Sequence, residues 1–361
     1  MRRADKANGG KHRATVTDVA AHAGVSTATV SRVLNGNYPV AAATRAKVEA
    51  SVRELGYVVN AHARALAGSS TGTVGIIVNE VIDPFYAYIA RGVEREAARQ
   101  GRLCLVCCTQ GDPERELAFI DLLDERRADS IVVVGGSIQD RRYTLELSTR
   151  ARQLHARGAL LVLCGRPPLG DGVPIAGVEY DNEGGAFALT DHLLTRGHER
   201  IVYLGGPPRL STTRDRLAGH RRALRTRGAS PDASLLRTGA FSRSFGHREM
   251  AEVLADGTEF TAVFAANDIV AAGAAQALEE AGLRVPDDVS LVGYDDIPVA
   301  QEMRPRLTTV HIPLEEMGRQ AVRLGLGTAA GDDWREPESG VLRLGTHLVV
   351  RDSVAPRDPR P

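Results

Sequence analysis

Two periodicities divide this chain. In TVTDVAAHAGVSTATVSRVLN, residues 15–35, apolar positions recur at helical spacing: Val30, Val33 and Leu34 share one arc of a helical wheel, and Thr27, Ala28, Ser31 and Arg32 share the opposite one. That pattern predicts a helix with one buried side and one clean polar face. A shorter helix precedes it, with Val19, Ala20 and Ala23 as its apolar side, Thr17 as its expected cap and Asp18 favouring the positive end of the dipole. Gly24 suits the tight turn between the two, and Ser26 is the expected cap of the second. A third helix is expected from about Thr44 to Leu55, where Val48, Val52 and Leu55 recur before Gly56. Three such helices can share one small core, in the layout of a helix-turn-helix.

From Thr73 onward the pattern changes to short apolar runs, VGIIV, LCLVC, IVVV, ALLVL, IVYLG, AVFAA and VSLVGYD, separated by amphipathic stretches of helical period. This alternation predicts an α/β body with parallel sheets covered by helices on both faces. Ligands in such folds bind beyond the carboxyl ends of the strands. The residues at those ends are Asp83, Phe85 and Tyr86 after the first run, Gly165 and Arg166 after ALLVL, Asn267 and Asp268 after AVFAA, and Asp295 after LVGY. Carboxylates and amides that bind hydroxyls, aromatic faces and a guanidinium fork suit a small polar ligand. Each also has a structural alternative: Asp268 could cap the following helix and Phe85 could be core.

Charge separates the same two regions. Residues 1–66 hold ten Lys or Arg against four Asp or Glu, although the whole chain balances at 45 of each. A cationic module beside an anionic body is what phosphate binding requires. At 361 residues there is room for a small module and a body of two subdomains. No apolar run is long enough to span a membrane as a helix, and Arg2 and Arg3 precede no apolar export segment, so the chain is expected in the cytoplasm. Cys104, Cys107, Cys108 and Cys164 fall in strand-like runs; Cys104 and Cys107 are three apart and point to opposite faces, so buried packing is expected rather than a disulfide or metal site. No metal or cofactor is expected. Neither a G-x-G-x-x-G after the first body strand nor a P-loop is present, which argues against a nucleotide-dependent enzyme. A ligand-binding protein without DNA-binding activity is the remaining alternative.

The runs VTDVAAHAGVSTATVSRVLNG, TRAKVEASVRELGY and NAHARALAG closely resemble the N-terminal region of the lactose and galactose repressor (LacI/GalR) family of bacterial transcription regulators. The resemblance continues in order through DPFYAYIARGVE, RGHERIVYLGG, RDRLAGHRRAL, TAVFAANDIVAAGA, LRVPDDVSLVGYDD and LTTVHIPLEEMG. It implies a basic flexible tail (1–14), a helix-turn-helix domain (15–59), a hinge helix and linker (60–72), and a body like periplasmic sugar-binding proteins (73–352), with a disordered tail at 353–361. The body's two subdomains are expected at about 73–180 plus 297–327 and 181–296 plus 328–352, so the chain crosses near Tyr180, Asp296 and Thr328.

The resemblance also implies roles. A homodimer would set two recognition helices in successive major grooves of a near-palindromic operator, with Thr27, Ala28 and Arg32 touching bases and Thr17, Ser26, Thr29, Ser31 and Asn35 on the backbone. The hinge, through Ala63 and Leu66, would enter the minor groove. Arg216, Asp295, Asn267, Phe241, Phe85, Tyr86 and Arg166 would line a cleft for a small-molecule effector, expected to be a carbohydrate, that controls repression. Many sugar-responsive relatives carry an aspartate where this chain has Gly165, so one hydroxyl acceptor is missing. No apolar heptad follows the last body strand, so a tail-mediated tetramer is not expected.

Overall fold

The computed structural model describes residues 14–35, 38–57, 72–328 and 340–357. Two compact units result, Met1–Thr71 and Gly72–Pro361. The first contains α1 (Val16–Ala23), α2 (Thr27–Asn35) and α3 (Ala42–Glu54). Thr15, not Thr17, caps α1: its hydroxyl accepts from Asp18 N–H at 3.3 Å while Asp18 Oδ2 accepts from Thr15 N–H at 2.8 Å. This reciprocal box satisfies two free donors, which a Thr17 cap one turn later could not do with the same aspartate. Gly24 sits at φ +66° and ends the helix in the left-handed region. Ser26 Oγ accepts from Thr29 N–H at 3.1 Å and starts α2. Val19, Ala20, Val30, Val33 and Val48 form the shared core.

The second unit is built on two parallel sheets. The larger runs β11 (Val341–Leu344), β5 (Ile175–Tyr180), β4 (Leu160–Cys164), β3 (Ser130–Val134), β1 (Thr73–Val78) and β2 (Leu103–Cys108). The smaller runs β7 (Leu236–Arg237), β6 (Ile201–Leu204), β8 (Ala262–Ala265) and β9 (Ser290–Val292). On the larger sheet, α4 (Pro84–Arg99) and α12 (Leu314–Gly325) pack on one face, and α5 (Pro113–Glu125) and α6 (Arg141–Ala156) on the other. On the smaller one, α7 (Asn182–Thr195) and α8 (Ser211–Thr226) oppose α9 (Arg243–Ala255) and α10 (Asp268–Glu280), with α11 (Pro298–Glu302) beside α10. One core runs continuously from the α4 face of the first sheet to the α7 face of the second.

An antiparallel ribbon, β10 (Thr309–His311) with β12 (His347–Val349), joins the two halves. Its position corrects two expected crossings. Residues 297–308 stay with the smaller sheet, since Ala300 and Leu307 fill its core and Thr308 bridges Val292, so the second crossing follows β10 rather than Asp296. The third lies beyond β11, not at Thr328, because β11 pairs with β5 in the larger sheet. The expected disordered tail is also corrected for residues 353–357. Ser353 is fully buried, its hydroxyl donating to Leu291 C=O at 2.6 Å and accepting from Thr308 N–H at 2.8 Å, and Arg357 N–H reaches Arg196 C=O at 2.7 Å. The chain end thereby completes the edge of the smaller sheet. Cys164 is buried in β4, but Cys104, Cys107 and Cys108 are only half-buried because β2 is an edge strand; all four are free thiols.

Candidate functional site

On the helix-turn-helix unit, α2 buries Val30 and Val33 and leaves Thr27, Ala28, Ser31 and Arg32 exposed, with Thr29 half-buried. Thr17 and Ser26 are exposed nearby. Asn35 closes α2, but its side chain lies outside the described residues, as do Ala63 and Leu66 entirely. The Arg32 guanidinium carbon stands 5.3 Å from the centroid of exposed Tyr38, a partner that the helical wheel did not bring out because it lies beyond α2. His22 Nδ1, at 3.0 Å from Ser51 Oγ, ties α1 to α3 and keeps the scaffold beneath this face rigid.

Between the two sheets of the second unit lies a cavity of about 740 Å³. Phe85, Tyr86, Arg166, Arg216, Phe241, Asn267 and Asp295 all line it. They arrive from strand ends on both sheets. Asp83 also lines the cavity, and its carboxylate caps α4 by accepting from Phe85 N–H at 2.9 Å, which sets Phe85 and Tyr86 edge-on with centroids 5.1 Å apart. Asn267 caps α10, its Oδ1 accepting from Val270 N–H at 2.9 Å. Asp268 is therefore not the cap: it is buried, and accepts instead from Thr309 Oγ1 at 2.6 Å and Ile297 N–H at 2.9 Å. Burial first, then neighbouring Asp295, raise its pKa well above the usual carboxylate value.

Arg216 is 2% exposed and stacks on Tyr294, its guanidinium carbon 3.7 Å from the ring centroid. It donates to Asp295 Oδ1 at 3.0 Å, to Asn182 Oδ1 at 2.9 Å and to Ala266 C=O. Burial pushes the Asp295 carboxyl up to about 7, opposed by Arg216 and assisted by Asp83. Asp295 also sits at φ +104° and Asp296 at φ +57°, a strained pair of non-glycine residues of the kind that concentrates at functional sites. Asp296 is held by Arg351 and by His311 Nδ1 at 3.0 Å, so the ribbon clamps the strained turn.

Arg166 is buried as well, with every N–H committed: Nε to Gly135 C=O at 2.9 Å, Nη1 to Glu116 and to Tyr143 OH at 2.9 Å each, and Nη2 to Glu116 at 3.2 Å and Val134 C=O at 3.3 Å. Glu116 and Tyr143 were not found from sequence, because they project from the first turns of α5 and α6 rather than from strand ends. Gly165 sits at φ +82°, and an added Cβ would stand 3.4 Å from the Tyr180 ring, so the missing aspartate leaves a position filled from the other side.

Comparison with known proteins assigns the chain. Residues 15–60 match the bacterial regulatory proteins, lacI family, and residues 190–354 match the periplasmic binding protein-like domain. The HTH-type transcriptional regulator GalR of Escherichia coli (strain K12) is 37% identical, over 95% of this chain and 96% of its own. The chain belongs to the lacI family. As a member it is a transcriptional regulator, not an enzyme. The Escherichia coli (strain K12) ribose operon repressor is 36% identical, over 86% of this chain and 91% of its own. A crystal structure of the lac repressor dimer bound to operator and the anti-inducer ONPF superimposes with a TM-score of 0.78 at 29% identity, covering 95% of this chain and 100% of that one. A transcriptional regulator CelR–cellobiose complex gives 0.67 at 35% identity, over 94% and 100%. Among the described residues no helix is long and apolar enough to cross a membrane, and no cluster of ligands could hold a metal ion.

Proposed function

We propose that this lacI-family protein is a cytoplasmic repressor that binds a near-palindromic operator as a homodimer and answers to a carbohydrate in its inter-sheet cavity. The observation that carries this reading is the exposed face of α2, where Thr27, Ala28 and Arg32 stand free above a buried valine side. Arg32 supplies two donors matched to guanine O6 and N7; Ala28 offers a methyl contact and Thr27 a methyl or one hydroxyl. Thr17, Ser26, Thr29, Ser31 and Asn35 position the module on phosphates. Ala63 and Leu66 enter the minor groove at the centre of the site, bending it. Exposed Leu103 and Val106 on edge strand β2, with Val81 and Ile82 beside it, give the second copy an apolar surface to cover.

In the cavity, Arg216 and Asp295 face the ligand's hydroxyls, Asn267 offers its amide, Phe241, Phe85 and Tyr86 offer ring faces, and Arg166 braces the wall. Selection of duplexes from a random pool by the full chain, followed by sequencing, is expected to return a two-fold symmetric site. Recovery of no preferred sequence would remove the operator reading and leave a ligand-binding protein. A sugar that changes retention of the selected duplex is the expected second result.

A further inference from the structure

The cavity is larger than its conserved-looking end. A hexose, about the size of six waters at roughly 30 Å³ each, would fill about a quarter of it, and the space of about 740 Å³ does not stop at Arg216 and Asp295. It continues past the ends of β1 and β3 to the first turns of α5 and α6, helices on the opposite face of the larger sheet from α4. This arm is lined by Asn79, Glu114, Glu116, Arg142, Tyr143 and Glu146. The Asn79 Oδ1 atom is buried there with no hydrogen-bond partner among the described residues, an acceptor awaiting a donor.

The charges lining the cavity point to the same kind of ligand. Each arginine already faces a carboxylate: Arg216 with Asp295 at 3.0 Å, Arg166 with Glu116 at 2.9 Å, Arg142 with Glu146 at 2.9 Å and Arg209 with Asp140 at 3.8 Å. Asp83, Asp112 and Glu114 line the cavity besides. An anionic ligand would meet this surplus of carboxylates, and the two buried cations have little left to donate. Hydroxyl groups, by contrast, donate to carboxylates and to an orphaned amide oxygen.

Resting on the reading of this cavity as the effector site, we propose that the effector is an uncharged glycoside of at least two sugar units. One unit lies against Arg216, Asp295 and Phe241, and the second lies in the arm against Asn79 and Tyr143. The test is calorimetric titration of the full chain with cellobiose, maltose, lactose and melibiose, with glucose and galactose, and with glucose 6-phosphate. At least one disaccharide is expected to bind about tenfold more tightly than its constituent monosaccharides, with the phosphorylated sugar silent. Asn79→Ala should weaken that disaccharide roughly fivefold, the scale of one lost hydrogen bond, and leave monosaccharide binding and the thermal midpoint in place. Tightest binding by a monosaccharide or by glucose 6-phosphate, or an equal loss for both sugar sizes in Asn79→Ala, overturns the proposal. Monosaccharide binding lost in Arg216→Met but untouched by Asn79→Ala would keep the cavity as the effector site and remove only the arm. Silence of every sugar overturns the carbohydrate reading itself.

Discussion

Arg32 is the side chain on α2 able to read a base with two parallel donors, and its stacking on Tyr38 holds the guanidinium over the exposed face. Arg32→Ala should cost about 1–3 kcal/mol at one base pair per half-site and flatten discrimination there; Arg32→Lys, a point charge without the fork, should restore affinity but not discrimination. Quantitative binding to duplexes substituted at each position separates the two. In the second unit, His220 is 2% exposed, with Nδ1 3.0 Å from Thr190 Oγ1 and its ring between Tyr203 and Phe264. Burial, with a smaller contribution from Arg221, lowers its pKa to about 4. The unfolded chain takes up this proton near 6.5 and the folded one does not, so the contribution of His220 to stability is present above 6.5 and is lost as pH falls towards 4. Asp295, raised rather than lowered, works in the opposite direction over a similar range. The comparison is therefore between wild type and His220→Gln: from pH 7 to 4 the wild type should lose roughly 3 kcal/mol more, at 1.36 kcal/mol per unit, in denaturant unfolding of the body.

Elements differ in how far their residues announced them. The continuous apolar runs of β1, β3, β4, β6 and β8 stand in the interior of their sheets and are buried on both faces, so composition alone marks them. The strands β7, β10, β11 and β12 have two to four residues each and lie at edges or in the crossing ribbon, where pairing rather than burial defines them. That is why two crossings were displaced. For the cavity, the residues at strand ends were legible because the parallel fold projects them together; Asn79, Glu116 and Tyr143 needed the three-dimensional placement of α5 and α6. The cap of α1 was misplaced by two residues because Thr15 and Thr17 both precede the helical run, and only the reciprocal bond to Asp18 distinguishes them. Thr15→Ala should accordingly cost the DNA-binding unit about 1 kcal/mol, and Thr17→Ala much less, as read by its thermal unfolding. Helix crossing is equally specific: a Cβ on Gly92 of α4 would stand 2.1 Å from Glu315 C=O of α12. Because backbone must move to admit it, Gly92→Ala should destabilise the body by about 1–3 kcal/mol.

At the scale of the whole molecule, the two units carry opposite charge and must exchange free energy for an effector to matter. Residues 1–66 have a surplus of six basic groups, and the rest of the chain a matching acidic surplus. Operator affinity should therefore fall steeply and log-linearly with salt, while sugar affinity should scarcely change, because the cavity charges are already paired. Coupling has a structural candidate within the body. Asp296 is gripped by His311 on β10 and by Arg351 just after β12, and its neighbour Asp295 faces the ligand from a strained backbone. A ligand that moves Asp295 thus acts on both strands of the ribbon that joins the two sheets. If the ribbon transmits the signal, sugar changes operator affinity by about 5–150-fold, and operator changes sugar affinity by the same factor, as linkage demands. Arg351→Met releases one strand without touching the cavity lining. It should leave sugar binding to the DNA-free protein nearly intact and shrink the coupling factor measured from both directions. An undiminished factor in a folded Arg351→Met protein would mean that the two sheets communicate through the continuous core instead.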